Sequence, residues 1–291
     1  MAQEIGAERR NLLKLGALGL AAASVLDPGR AAAAAAPQSL LRTVLDRGKL
    51  IVGTGSTNAP WHFEDANGKL TGMDIAMGKI LAMGLFGSDD DAKIEFVQTD
   101  PAARIPNIMT GKVDIVIQFM TITSQRAQLV NFSRPYYVEG VALLTLPGSK
   151  WKNGDQLKAA GSHVRVSVLQ NVGADALVHE VLPEAEVMQL DTQANVIQAL
   201  ESHRVDAAAV DLSTVKWMVR QDPHRYADPG VHWQHQLYGA AVRQSDFDWL
   251  QFVNTTFNVA MFGNDTAEYD AAFKEFFGDT PPPRHPGFPM I

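Results

Sequence analysis

Lys49-Leu50-Ile51-Val52-Gly53-Thr54 is a short apolar run rich in β-branched residues, and its Gly-Thr ending marks a strand entering a loop. The residues after it decide the fold. Met73 to Leu85 carries Ile75, Ile80 and Leu81 among the apolar positions of a helix, and Lys93 to Val97 reads as a second strand. Ala103 to Thr110 reads as a helix and Val113 to Phe119 as a third strand. This β-α-β-α-β order predicts a mostly parallel sheet, with ligands at the carboxyl ends of its strands. The same rhythm then restarts. Val164–Val168, Val187–Leu190 and Val205–Val210 are strand-like, separated and followed by helical stretches at Gly173–Val181, Asn195–Ser202 and Ser213–Gln221. Two such units predict an α/β chain of two similar lobes. Glu139 to Pro147 and Gln236 to Val242 read as crossover strands between them, the second leading into a helical segment, Phe247–Phe262. Two crossovers make the first lobe discontinuous: residues 37–141 and 238–291 form lobe 1, residues 142–237 form lobe 2, and a cleft lies between. The proline-rich end, Pro281 to Ile291, reads as an extended tail.

The composition agrees with a globular chain of about two domains: 291 residues, 46% hydrophobic and 20% charged. A net charge of −7 argues against a nucleic-acid partner, which needs a basic face. With no cysteine, disulfides, thiolate metal sites, a cysteine nucleophile and an acylated-cysteine anchor are all excluded. Residues 1–36 stand apart. A polar start ending in Arg9-Arg10-Asn11-Leu12-Leu13-Lys14 precedes an apolar stretch, Leu15 to Leu26, and an alanine run, Ala31 to Ala36. This is the plan of a cleaved export signal, and the apolar stretch is too short to cross a bilayer. The paired arginines resemble a twin-arginine signal, although Glu8 and Leu12 replace its usual Ser/Thr and Phe. A soluble acidic protein with such a signal is expected in the periplasm.

Five ordered segments carry a more specific resemblance: Val52-Gly53-Thr54 with Ala59-Pro60-Trp61; Asn67 to Ile75; Gly111-Lys112-Val113-Asp114; Thr121-Ile122-Thr123-Ser124-Gln125-Arg126; and Phe132-Ser133-Arg134-Pro135-Tyr136-Tyr137. The second lobe adds Gln170 to Ala174, Ala199 to Asp206, Val210-Asp211 and Tyr238 to Arg243. Together these resemble the polar amino-acid-binding proteins of bacterial ABC importers over roughly residues 40–277. The resemblance implies a type II periplasmic-binding-protein clamshell that closes around one small solute, with each lobe a mostly parallel sheet flanked by helices. It implies a monomer that performs no chemistry, uses no cofactor, and passes a free amino acid to a membrane permease and its ATPase. A cyclohexadienyl or arogenate dehydratase-like lyase on the same fold is the alternative.

An α-amino acid in a water-poor cleft needs a cation, an anion and fixed hydrogen bonds, because an unpaired buried charge is costly. The motif match makes Arg126 the cation for the carboxylate, held through two parallel hydrogen bonds. Thr121, directly after the third strand, is expected to join it through its hydroxyl and N–H or to cap the following helix, and Thr123 to cap. Asp211 ends an apolar run; the resemblance makes it the acceptor of the ligand ammonium from the second lobe, and an N-cap role is the alternative. Asn171-Val172, before Gly173, stands where relatives usually carry Gly-Thr; Val172 offers no hydroxyl, so only backbone N–H groups or the Asn171 amide can serve the carboxylate there. Asn58 occupies a place that is aromatic in basic-amino-acid binders. Trp61 either walls the pocket or packs inside lobe 1. Arg104 resembles an arginine that meets a side-chain carboxylate, but Gly55 stands where a second arginine is expected, so acidic ligands are not favoured. Phe119 offers a carbonyl and a ring, Met120 adjoins it, and Thr192 is a further wall candidate. The expected ligand has a polar or medium-sized side chain. His232 and His235 lack the further ligands of a metal site, and no metal is expected.

Overall fold

In chain order the strands are β1 (Leu50–Thr54), β2 (Thr57–Asn58), β3 (His62–Glu64), β4 (Leu70–Thr71), β5 (Ile94–Gln98), β6 (Ile115–Val116), β7 (Asn131–Phe132), β8 (Tyr137–Leu144), β9 (Arg165–Leu169), β10 (Glu186–Leu190), β11 (Ala207–Asp211), β12 (His232–Tyr238) and β13 (Ala241–Val242). The helices are α1 (Leu40–Arg47), α2 (Met73–Phe86), α3 (Arg104–Met109), α4 (Ser124–Ala127), α5 (Gly154–Ala159), α6 (Ala174–His179), α7 (Gln193–Glu201), α8 (Leu212–Gln221), α9 (Phe247–Phe262) and α10 (Ala267–Phe277). These come from a computed structural model that describes residues 38–171 and 173–284. The segment expected to be an export signal, Val172 and the last seven residues of the given sequence lie outside the described residues.

Two five-stranded sheets, ordered β5-β1-β6-β13-β7 and β10-β9-β11-β8-β12, form the cores of two lobes. Each has a parallel trio, β5-β1-β6 or β10-β9-β11, extended by antiparallel pairing through β13 or β8. The period-2 pattern of the strands explains why both faces are covered. In β11, Ala207 and Ala209 pack with Val166, Val168 and Val178, whereas Ala208 and Val210 pack with Val196, Leu200 and Val215 on the other face. In the first sheet Val52, Ile115 and Ile117 face α2 and α9 residues such as Leu81 and Phe257; Val113, Val116 and Met120 face Ile108 of α3.

The C-terminal passage completes the first lobe. β13 lies between β6 and β7, and Asp246 fastens α9 to α1: its carboxylate caps Trp249 N–H at 3.1 Å and takes Leu40 N–H and the Ser39 hydroxyl, both at 2.7 Å. The crossover itself is antiparallel. β8 and β12 pair from Tyr137↔Tyr238 to Val141↔Trp233 and beyond, so the second sheet's share of the crossover begins at Tyr137, ahead of the expected Glu139. A small sheet, β2-β3-β4, docks on the start of α2. There Gly72 has φ 124°, and a Cβ on it would lie 2.2 Å from the Trp61 carbonyl oxygen, so only glycine fits.

Candidate functional site

Asp74, in the first turn of α2, is fully buried and accepts three hydrogen bonds: from His62 Nδ1 (2.8 Å), the Phe119 N–H (2.9 Å) and the Tyr136 hydroxyl (2.8 Å). Three donors around one carboxylate satisfy a charge that would otherwise be prohibitive. The bond to Phe119 holds that residue at φ 36°, in the left-handed region that a bulky side chain rarely enters. The chain therefore turns sharply after β6 and presents the Phe119 ring to two neighbours. His62 stacks on it with centroids 4.8 Å apart, and the Arg104 guanidinium lies 4.6 Å from its centroid. Burial pushes the His62 imidazole below its ordinary range, outweighing the upward pull of Asp74, so the ring is neutral.

Arg104 opens α3 and is buried; its Nε donates to Gln118 Oε1 at 3.0 Å, while Nη2 has no partner. Burial pulls this guanidinium down to about 10, and the charge of Arg126 adds to the effect. Arg126 lies on α4, whose N-cap Thr123 accepts the Arg126 N–H at 3.2 Å, the capping role expected for Thr123. The Arg126 Nη1 donates to the Thr121 carbonyl at 2.7 Å, and partial burial lowers its pKa. Thr121 is not the cap. Its hydroxyl donates to Gln236 Oε1 at 2.8 Å, across to β12.

The second lobe supplies two carboxylates. Asp211 occupies the N-cap position of α8, yet its side chain makes no capping hydrogen bond. Burial raises its pKa above the carboxylate range against the opposing influence of Tyr238, Arg104 and Asn58. Glu139, on β8, is buried and raised further, first by desolvation and then by the charge of Asp211. It accepts the Ser213 hydroxyl at 2.5 Å and the Gly140 N–H at 2.9 Å. Ser213 in turn accepts Trp61 Nε1–H at 2.9 Å, and the Thr214 hydroxyl meets the Ala59 carbonyl at 3.1 Å and Asn58 Oδ1 at 3.3 Å. These bonds run from the first lobe to the N-terminus of α8 in the second. The lobes are closed on one another.

Two cavities lie along this junction. One, of about 50 Å³, is lined by Gly55, Asn58, His62, Phe119, Thr192 and Gln193 among others. The second, of about 390 Å³, opens between α7 and α8 beside Thr57 and Ala59. The structure thus brings Asn58, Phe119 and Thr192 to a common cavity, with Arg104, Arg126 and Asp211 grouped around Tyr238. Thr192 also caps α7 through the Asn195 N–H at 3.1 Å. Asn171 is exposed and bonded to the Leu169 carbonyl, and Gly173 holds φ 88° at the start of α6; neither lines a cavity.

Two candidate pocket residues lie in the core, Trp61 in the second of the two roles expected for it and Met120 against expectation. Trp61 is fully buried in a nest of Tyr136, Tyr137, Tyr238 and Phe277, where its ring is worth more out of water than on a pocket wall. Met120 is buried in the core with Ile108, Val113 and Val130, on the opposite side from Phe119, where the chain has turned. His62, Glu139 and Gln193 were missed. Their signal was polarity inside apolar surroundings, as in Tyr-Val-Glu-Gly-Val at 137–141.

Comparison with known proteins fits this geometry. Residues 50–279 match the family of bacterial extracellular solute-binding proteins, family 3. The ABC transporter glutamine-binding protein GlnH of Bacillus subtilis (strain 168) is 26% identical over 83% of this chain and 85% of its own. The solved structure of an ancestral arginine-binding protein bound to glutamine is 33% identical, with a TM-score of 0.68 over 80% of this chain and 99% of that one. The ancestral amino acid-binding protein AncCDT-1, a precursor of cyclohexadienyl dehydratase, is 31% identical, with a TM-score of 0.68 over 82% and 100%. With the family pattern running through nearly all of both lobes and the cleft between them, the chain belongs to family 3 of the bacterial extracellular solute-binding proteins.

Proposed function

We propose that this protein is a periplasmic receptor that closes around one free α-amino acid with a polar or medium-sized side chain. It then delivers the ligand to the permease and ATPase of an ABC importer as a monomer, without chemical change. The observation that supports this reading is a partly buried cation on the first lobe, Arg126, and a buried carboxylate on the second, Asp211, not spent on capping, both acting on Tyr238 between them. A ligand whose carboxylate meets Arg126 and whose ammonium meets Asp211 favours the closed form over any open one, which is what closure requires. Relatives named for glutamine, cystine and histidine binding support the same class of solute. Residues 1–36 act as the export signal, by the twin-arginine route, and N-terminal sequencing of the periplasmic protein is expected to find them gone.

Calorimetric titration with the twenty amino acids tests the reading. At least one is expected to bind with micromolar affinity or better, about −8 kcal/mol. Arg126→Ala is expected to weaken it by about 2–5 kcal/mol, since it strips a desolvated carboxylate of its partner. The alternative, a lyase, draws on Glu139, whose raised pKa suits a general acid. Turnover of arogenate or prephenate by the purified chain would replace the receptor reading with that one.

A further inference from the structure

His62 combines three features that the binding chemistry described so far does not use. Its Nδ1 is committed to Asp74, the residue is 2% exposed, and Nε2 makes no hydrogen bond among the described residues while His62 lines the 50 Å³ cavity. A carboxylate can only accept, so Nδ1 carries the proton and Nε2 presents a lone pair. Gly55 is what leaves that edge of the ring uncovered. A Cβ there would stand 2.8 Å from Nε2 and 2.7 Å from Cδ2. The same cavity is lined by Asn58 and Gln193, buried to 1% and 8% exposure; among the described residues neither amide nitrogen has an acceptor within hydrogen-bond distance, although Asn58 lies close enough to the Asp211 carboxylate to lower its pKa. The cavity therefore holds one buried acceptor and two buried donors awaiting partners, one donor coming from each lobe. Buried polar groups left in this state are costly, and a ligand that pairs all of them is selected over one that does not.

We infer that this cavity receives the end of the ligand side chain, and that His62 with Asn58 and Gln193 selects a neutral carboxamide. The inference rests on the amino-acid receptor reading and narrows it. A carboxamide oxygen accepts from Asn58 Nδ2 and Gln193 Nε2, and its NH2 donates to His62 Nε2. A carboxylate end satisfies the two donors but sets an oxygen lone pair against Nε2. An ammonium or guanidinium satisfies His62 but leaves both amides without acceptors and lies near the buried charge of Arg104. An apolar end pairs with none of them.

The test is calorimetry on the purified chain with L-glutamine, L-glutamate and L-methionine, the last matching glutamine in length without an amide. Glutamine is expected to bind at least about tenfold more tightly than either. His62→Phe keeps an aromatic ring on Phe119 but removes the acceptor, and it is expected to bring the glutamine-to-methionine ratio close to one while methionine affinity is unchanged. A purely structural role for His62 would weaken both ligands alike. Gln193→Ala, which removes one of the two donors and leaves the bond between His62 and Asp74 in place, is expected to lower the same ratio, and it decides the matter if His62→Phe does not fold. Glutamate or methionine equal to glutamine in the parent chain, or a ratio unmoved by these variants, overturns the inference. If no amino acid binds at all, the receptor reading itself falls. Binding without preference for the amide removes only this inference.

Discussion

Asp74 orders more of the cleft than any group expected to touch a ligand. It fixes the His62 tautomer, the Tyr136 hydroxyl and the left-handed turn at Phe119. Asp74→Ala leaves three buried donors without an acceptor, and urea unfolding is expected to show a loss of at least about 3 kcal/mol. Asp74 stood within a motif segment of the sequence, but its three partners come from 62, 119 and 136, positions no local pattern joins. Arg126 was singled out by the motif match and Asp211 because a carboxylate closes the apolar run Val205–Val210; their meeting with a ligand is the proposal that the Arg126→Ala titration tests. The fate of Trp61 and Met120 was not legible. Whether an apolar side chain faces a core or a cleft depends on the neighbouring strand, and both faces of these sheets are covered.

At the level of elements, α2, α9 and the repeated strand–helix order could be read from periodicity, and Phe247–Phe262 matches its expected limits. The eight-residue α1 was not anticipated. It is held by Ser39, by Gly48 at φ 67° and by Asp246 from far along the chain, so local propensity says little about it. Two-residue strands such as β2 and β4 have no period to read. The expected strand Val113–Phe119 is regular only at Ile115–Val116, because Phe119 turns away to meet Asp74. β8 carries the element's most consequential departure from alternation, the buried Glu139. Its folded pKa lies above the unfolded value, so the folded protein binds the extra proton between the two. Stability is then greatest below that window and falls as pH rises through the raised value. His62, whose pKa is lowered, acts in the opposite direction at lower pH. The difference in melting temperature between the unliganded parent and Glu139→Gln is therefore expected to move in the variant's favour as pH increases above the ordinary carboxylate range.

Across the whole molecule, closure is recorded in the chain Trp61–Ser213–Glu139 and in the Thr214 contact with Ala59. Trp61→Phe preserves most of the aromatic nest but removes the Nε1–H that reaches the other lobe. Ligand dissociation, followed by stopped-flow fluorescence, is expected to quicken by up to about tenfold, the worth of one hydrogen bond. The discontinuous lobe has a further consequence, for the order in which the molecule can be made. The second sheet takes its strands from one unbroken stretch, β8 to β12, and can assemble as soon as that stretch leaves the ribosome. The first sheet cannot, because its inner strand β13 and the Asp246 fastening of α1 arrive only after the whole second lobe has been translated. Synthesis thus passes through a stage in which one half is finished and the other waits with a gap between β6 and β7. A piece translated after the second half is what closes the first half to be begun.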